Sequence, residues 1–372
     1  MRAAVVYEYG APITVTDVTV SDQLGPKDVR VKIKASGLCH SDVSVQTGAL
    51  PFPLPMIVGH EGAGIVTAVG DAVTTTKPGD HVVLSALIHC GVCEFCLKGR
   101  PNLCLWGLQT IFGGLNPDAA HPAGGFRAAD PDGRDLYQFS SIGTLAEELV
   151  CNELHAIPIP DDVSFEAAAL TGCGVLTGMS AVINRAKVEP GSSVVVIGCG
   201  GVGLNVIQTA AIQNAGMVIA VDLHDDKLEM ARRFGATHTV KGGEGVDVPA
   251  AIIEITGLGA DYVFEVVGAP PLVRQGWDSL KIDGTLVVIG VHPATSETTL
   301  PAAEFSQSEK TLMSCLYGTS RPTRDIPLAV ELYRSGRYRL DDLVTHHFDL
   351  DDINDAVARM DSGHDARGVV VF

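Results

Sequence analysis

Between residues 194 and 290, apolar runs of strand length alternate with stretches of helical periodicity, and this rhythm constrains the fold of the 372-residue chain most tightly. VVVIG (194–198) reads as a buried strand, followed by an apolar-periodic stretch from Val202 to about Asn214. MVIAVD (217–222) predicts a second strand and DDKLEMARRFG (225–235) a helix ending at Gly235. DYVFEVVG (261–268) and GTLVVIG (284–290) continue the pattern. Strand and helix in series imply parallel strands joined by crossovers, hence an α/β fold with a doubly wound sheet.

The preceding part has another texture. Up to about residue 170, short β-rich runs such as DVRVKIKASG (28–37) and GAGIVTAVG (62–70) lie between Gly- and Pro-marked turns. Such spacing predicts a partly open β-barrel rather than a parallel sheet. Residues 113–138, rich in Gly, Pro and Asp, read as a long loop, a length that is more often functional or interfacial than idle. After about residue 314 the pattern turns mixed and closes on the strand-like GVVVF, so the tail is expected to return to the first domain. The parallel-sheet domain is then an insertion at 175–313, between 1–174 and 314–372.

Gly198-Cys199-Gly200-Gly201-Val202-Gly203 fits G-x-G-x-x-G with an additional glycine at 201. It follows a strand, opens a helix and is answered by Asp222 at the end of the next strand. That context is what a dinucleotide needs: glycines admit the pyrophosphate to the backbone, and the helix N-terminus faces it. A carboxylate at Asp222 accepts bonds from ribose hydroxyls and repels a 2′-phosphate. Leu223 and His224 follow, with no arginine to favour NADP, so NAD is the expected cofactor.

Cys90, Cys93, Cys96 and Cys104 fall in one segment, HCGVCEFCLKGRPNLC, whose Gly91, Gly99 and Pro101 let it bend back on itself. Four thiolates at this spacing suit a closed tetrahedral zinc site. Bacterial iron–sulfur proteins share C-x2-C-x2-C, but their fourth cysteine follows after three residues and precedes proline. Here the last gap is longer and Leu105 follows. The start, MRAAVVYEYG, alternates like a strand rather than a secretory signal, so a reducing cytoplasm and metal-bound thiolates are expected instead of disulfides. A formal charge of −18 argues against nucleic acid or an anionic membrane surface as partner, and no apolar run reaches the length of a membrane span.

Further metal-type residues are scattered: Cys39, His40, Ser41 and Asp42 in SGLCHSD, His60 and Glu61 in VGHEGAG, and Cys173 in TGCGVLTG. Two thiolates and an imidazole suit zinc and leave a position open, but local spacing cannot bring together ligands so far apart in sequence.

Taken in order, SGLCHSD, GHEGAGIVTAVG, the four-cysteine loop, TGCGVLTG, GCGGVG with Asp222, and Arg367 before the final strand resemble the zinc-dependent medium-chain alcohol dehydrogenases along essentially the whole chain. The resemblance implies a partly open, GroES-like β-barrel catalytic domain with an inserted Rossmann domain. It also implies NAD and two zinc ions per chain, one catalytic and one structural. The long segment fits the dimeric liver and class III branch, and hence a homodimer. Cys39, His60 and Cys173 match the catalytic zinc ligands, and Asp42 the carboxylate that orients the ligand histidine. Glu61 matches a residue behind the metal that ligates it transiently, and Ser41 the hydroxyl that takes the alcohol proton. His40 matches a basic contact to the cofactor pyrophosphate. Thr177, Val202, Lys227 and Arg367 match further cofactor contacts, Arg367 through the phosphates.

Ala86 stands where many members of that family carry a bulky aromatic beside the substrate, which suggests room for longer or aromatic primary alcohols. Bulk from Leu50, Phe52, Ile111 or Phe112 would refill it. The nearest rival is a thiol-adduct formaldehyde dehydrogenase acting on S-(hydroxymethyl)glutathione, for which Arg127 or Arg134 would have to hold the adduct. A non-catalytic relative conflicts with the intact Cys39, His60 and Cys173.

Overall fold

In a computed structural model, residues 1–113, 125–293, 295–363 and 366–372 are described. The chain divides into two compact units, Met1–Leu176 with Arg321–Phe372, and Thr177–Ser320.

The first unit is organised on the strand Asp28–Gly37, which pairs antiparallel with Glu61–Val69, Glu148–Asn152 and Arg367–Val371. Val29, Val31, Ile33 and Ala35 alternate along it and are fully buried, the period-two signature of a strand with one face in the core. The sheet continues through His81–Leu84 to Ala156–Pro158 on one side and to Val344–Phe348 on the other. A second sheet grows from Arg2–Val6, and together they form the partly open barrel. An ion pair with both side chains fully buried, Arg127 Nε to Asp28 Oδ2 at 3.0 Å, ties the far end of residues 113–138 to the start of the central strand.

The second unit is a six-stranded parallel sheet, in which Ser193–Ile197 pairs with Met217–Asp222 on one side and Ala260–Glu265 on the other. His238–Lys241 extends it beyond the former, and Leu280–Val288 with Thr311–Ser314 beyond the latter. The order reverses direction at Ser193–Ile197, and the crevice outside the strand ends at such a switch point is where open α/β sheets bind ligands.

Two sequence expectations are corrected. Residues 113–138 are not loop throughout. The helix Leu105–Gly113 reaches into them, and Ala128–Ala129 pairs antiparallel with Asp135–Gln138. Between these strands the Asp130 carboxylate accepts the N–H groups of Asp132 and Arg134 at 3.1 and 2.9 Å, closing a turn. Strands this short leave no readable alternation; residues 114–124 lie outside the described residues. The insertion also extends past 313, to Ser320, because Thr311–Ser314 completes the parallel sheet by pairing with Thr285–Val288.

His155, fully buried, locks two strand ends. Its Nδ1–H donates to the Ser85 carbonyl at 2.8 Å while Ser85 N–H donates to the His155 carbonyl at 2.9 Å. Burial pushes the imidazole down to about 4 from the usual 6.5, since Nε2 has no partner and a charge there would be unsolvated. The unfolded chain therefore binds a proton that the folded one refuses, and stability falls as pH drops from about 6.5 towards 4. In urea titrations, wild type should lose about 3 kcal/mol more over that window than His155→Gln; parallel curves for the two proteins would contradict this.

Candidate metal and dinucleotide sites

The four-cysteine segment folds as a short helix, Glu94–Leu97, and a turn, Pro101–Leu103, that bring the thiols face to face. Sγ separations are 3.5 Å for Cys93–Cys96, 3.6 Å for Cys90–Cys104 and 4.0 Å for Cys90–Cys96. A tetrahedron with Zn–S bonds of about 2.3 Å has edges of about 3.8 Å, so the set fits zinc; a disulfide needs about 2.05 Å. Backbone N–H groups of Cys90 and Cys93 donate to Cys104 and Cys90 Sγ, each at 3.3 Å, and favour thiolates. The N–H at Cys96 draws the Cys93 thiol down to about 6, while burial pushes Cys96 up to about 12. With four protein ligands, such a site has no position for substrate.

The second cluster joins Cys39, His60, Glu61 and Cys173, with one ligand atom from each within 4.8 Å of every other. Cys39 caps the helix His40–Thr47, and His60 and Glu61 stand at the start of the strand Glu61–Val69. The buried Asp42 carboxylate organises them. Oδ2 accepts the Cys39 N–H at 3.0 Å, and Oδ1 accepts the Gly59 N–H at 2.9 Å and His60 Nδ1 at 3.1 Å. His60 thus presents Nε2 for ligation. Burial works against its charged form, but Asp42 and Cys39 together outweigh burial and raise its basicity. The Cys39 thiol ionises well below its usual range because Cys173 donates to it, helped by His60 and Arg367. Ser41 Oγ lies 3.8 Å from Cys39 Sγ.

Behind the ligands, Glu61 Oε1 accepts the Gly174 N–H at 3.0 Å and lies 3.4 Å from Arg367 Nη2. Burial pushes the Glu61 carboxyl up to about 7, against the pull of Arg367. Glu61 Oε2 is buried without a hydrogen-bond partner, which fits an atom held in reserve for a metal. Arg367 is buried as well; its guanidinium is turned to Glu61, and burial, which opposes its charge, is outweighed only by Glu61, Cys39, Cys173 and Asp42 together. His40 stands exposed at the start of its helix, Nε2 4.0 Å from Asp361.

In the second unit Gly198 (φ +100°) turns the chain out of its strand, and a Cβ on Gly203 would lie 1.9 Å from the Gly198 carbonyl oxygen. Only glycine fits such an approach. Gly200 caps the helix Gly201–Ile212, which Val202 enters, and the space over Gly200 is open apart from Lys227 Nζ at 4.0 Å. Asp222 Oδ2 accepts the Cys199 N–H at 2.8 Å, joining the glycine turn to the carboxylate expected at the ribose. This cradle fits a dinucleotide. Thr177, buried, is the first residue of this unit.

Sequence reasoning missed Phe139, whose ring meets His60 edge-on at 4.9 Å. Phe52 packs edge-on against Phe139 at 5.2 Å and stacks on Phe112 at 6.0 Å, so aromatic rings run outward from His60. No local signal links Phe139 to His60.

Residues 25–161 match the family described as alcohol dehydrogenase GroES-like domain, and residues 201–335 that described as zinc-binding dehydrogenase. S-(hydroxymethyl)glutathione dehydrogenase of Paracoccus denitrificans is 37% identical, over 100% of this chain and 99% of that protein. Alcohol dehydrogenase class-3 of Cereibacter sphaeroides is 38% identical over 100% and 99%. The crystal structure of benzyl alcohol dehydrogenase from Acinetobacter calcoaceticus superposes with a TM-score of 0.92 at 33% identity, over 100% of this chain and 99% of that one.

Replacing Asp42 by Asn keeps one oxygen for the Gly59 N–H and His60 Nδ1 but sets an NH2 against the Cys39 N–H and removes the negative charge that raises the imidazole's basicity. Zinc affinity at the open site should fall roughly 10- to 100-fold, read by competition with a chromophoric chelator. Unaltered affinity would show that Asp42 acts only on the backbone.

Proposed function

Since the chain belongs to the zinc-dependent alcohol dehydrogenases, NAD-linked zinc oxidoreductases, we propose that it interconverts aromatic primary alcohols and their aldehydes. The observation that carries this reading is the aromatic row Phe139–Phe52–Phe112 leading from His60. Aromatic pairs add roughly 0.5–1.5 kcal/mol beyond area burial, a gain open to a benzylic ring but not to ethanol. The helix Leu105–Gly113, which carries Phe112, has no charged residue, and Ala86 is small and buried. The relative from Acinetobacter calcoaceticus, named for benzyl alcohol, supports the same reading.

Zinc held by Cys39, His60 and Cys173 would supply Lewis acidity at the substrate oxygen. Asp42 fixes the imidazole, Ser41 would take the hydroxyl proton and pass it on, and bound NAD would supply the hydride acceptor, so that alcohol and NAD give aldehyde, NADH and a proton. Three residues on from Ser41, the Ser44 hydroxyl donates to the His40 carbonyl at 2.9 Å. Within the second unit, Gly198, Gly200, Gly201, Val202 and Gly203 would take the pyrophosphate, Asp222 the adenosine ribose, and Lys227 and Thr177 further contacts. The homodimer that the resemblance implies belongs to the same proposal.

A second reading, oxidation of the formaldehyde–glutathione adduct, is favoured by the Paracoccus denitrificans relative. Against it, the Arg127 guanidinium, available to an adduct carboxylate by sequence, is committed to Asp28. NADH formation with benzyl alcohol, ethanol, and formaldehyde with and without glutathione separates the readings. Benzyl alcohol should have the highest kcat/KM, and Ser41→Ala should cut its kcat roughly 100-fold. Formaldehyde oxidation that requires glutathione and exceeds the benzylic rate would favour the adduct instead.

A further inference from the structure

We propose that Tyr9, whose hydroxyl is bonded to the Phe52 carbonyl, is the positioning residue that sets selectivity between aromatic and short alcohols, an inference that rests on the substrate reading above. Phe52 belongs to the segment between the helix His40–Thr47 and the strand Met56–Ile57, and no regular backbone pairing covers it. Its carbonyl instead accepts the Tyr9 hydroxyl. The Tyr9 ring lies against the helix end: a Cβ on Gly48 would stand 3.0 Å from Tyr9 Cγ, so the tyrosine seats on the bare left-handed cap of that helix. Two further bonds fasten the same turn. Gly10 N–H donates to the Gln46 carbonyl at 2.7 Å, and Gln46 Nε2 donates to the Ala11 carbonyl at 3.0 Å.

The consequence passes along the rings. Phe52 is 4% exposed and touches Phe139, which touches His60. A shift of the Phe52 backbone therefore moves the aromatic surface next to the metal ligand without moving Cys39, His60 or Cys173. Tyr9 is itself half-exposed and its hydroxyl bonds only outside the metal cluster. Loss of that hydroxyl should thus act on the binding of a ring, not on the chemistry of the carbinol.

Tyr9→Phe removes the hydroxyl and keeps the ring on Gly48. In the zinc-loaded, NAD-supplied enzyme, the ratio of kcat/KM for benzyl alcohol to that for ethanol should fall roughly three- to tenfold, the scale of one hydrogen bond. The change should lie in KM for benzyl alcohol, with kcat, its pH profile and zinc content unchanged. In a Phe52→Ala background the same substitution should leave the ratio unaltered, since the ring it positions is gone. A merely structural Tyr9 would scale both alcohols equally, or act undiminished without Phe52; either result overturns the inference. A wild-type ratio at or below one contradicts the substrate reading instead, and the effect of Tyr9→Phe on the ratio still decides the role of Tyr9.

Discussion

One carboxylate holds the reactive part of this protein together. Asp42 is inaccessible to solvent, yet its oxygens take three donors, from the Cys39 backbone, the Gly59 backbone and the His60 ring. A buried carboxylate is costly unless it is paired and hydrogen-bonded. Here the partners that relieve the cost are the segments that carry Cys39 and His60, two members of the buried cluster, so the energetics of burial and the geometry of the site are one constraint. Removing the carboxylate leaves two buried N–H groups and an unanchored imidazole, each of which carries a penalty.

The two zinc centres divide the work by coordination. The four-cysteine lobe is local, closed and satisfied by thiolates and backbone N–H groups, so it braces the chain. The other centre draws its ligands from distant segments and keeps a buried, unpartnered Glu61 oxygen beside them. Glu61 is held between the Gly174 N–H and Arg367, so the turn after Cys173 and the last strand are fixed to the same carboxylate. Charge balance reaches from the end of the chain to the metal ligands.

How much of this could be read from residues depended on the range of the interaction. The parallel sheet was legible because strand and helix periodicity is local, and the helix Asp225–Arg233 ends within two residues of the expected Gly235. The strand DYVFEVVG stops at Glu265, earlier than its apolar run, because the Glu265 side chain takes the Val267 and Gly268 N–H groups and turns the chain. The four-cysteine site was legible from spacing alone. Cys39, His60 and Cys173 were not: they came from resemblance, and only the fold brings them into contact. Phe139 beside His60, and Arg127 withdrawn onto Asp28, left no mark in spacing or periodicity, since each is a contact across the barrel between segments far apart in sequence.

The chain builds two independent zinc centres, one closed and one open. Elemental analysis of the purified protein, wild type beside Cys173→Ser, tests it most directly. Two zinc ions per chain are expected in wild type and a single, chelator-resistant one in the variant, with the fold retained. One zinc in wild type, or loss of both ions from the variant while it stays folded, would contradict it.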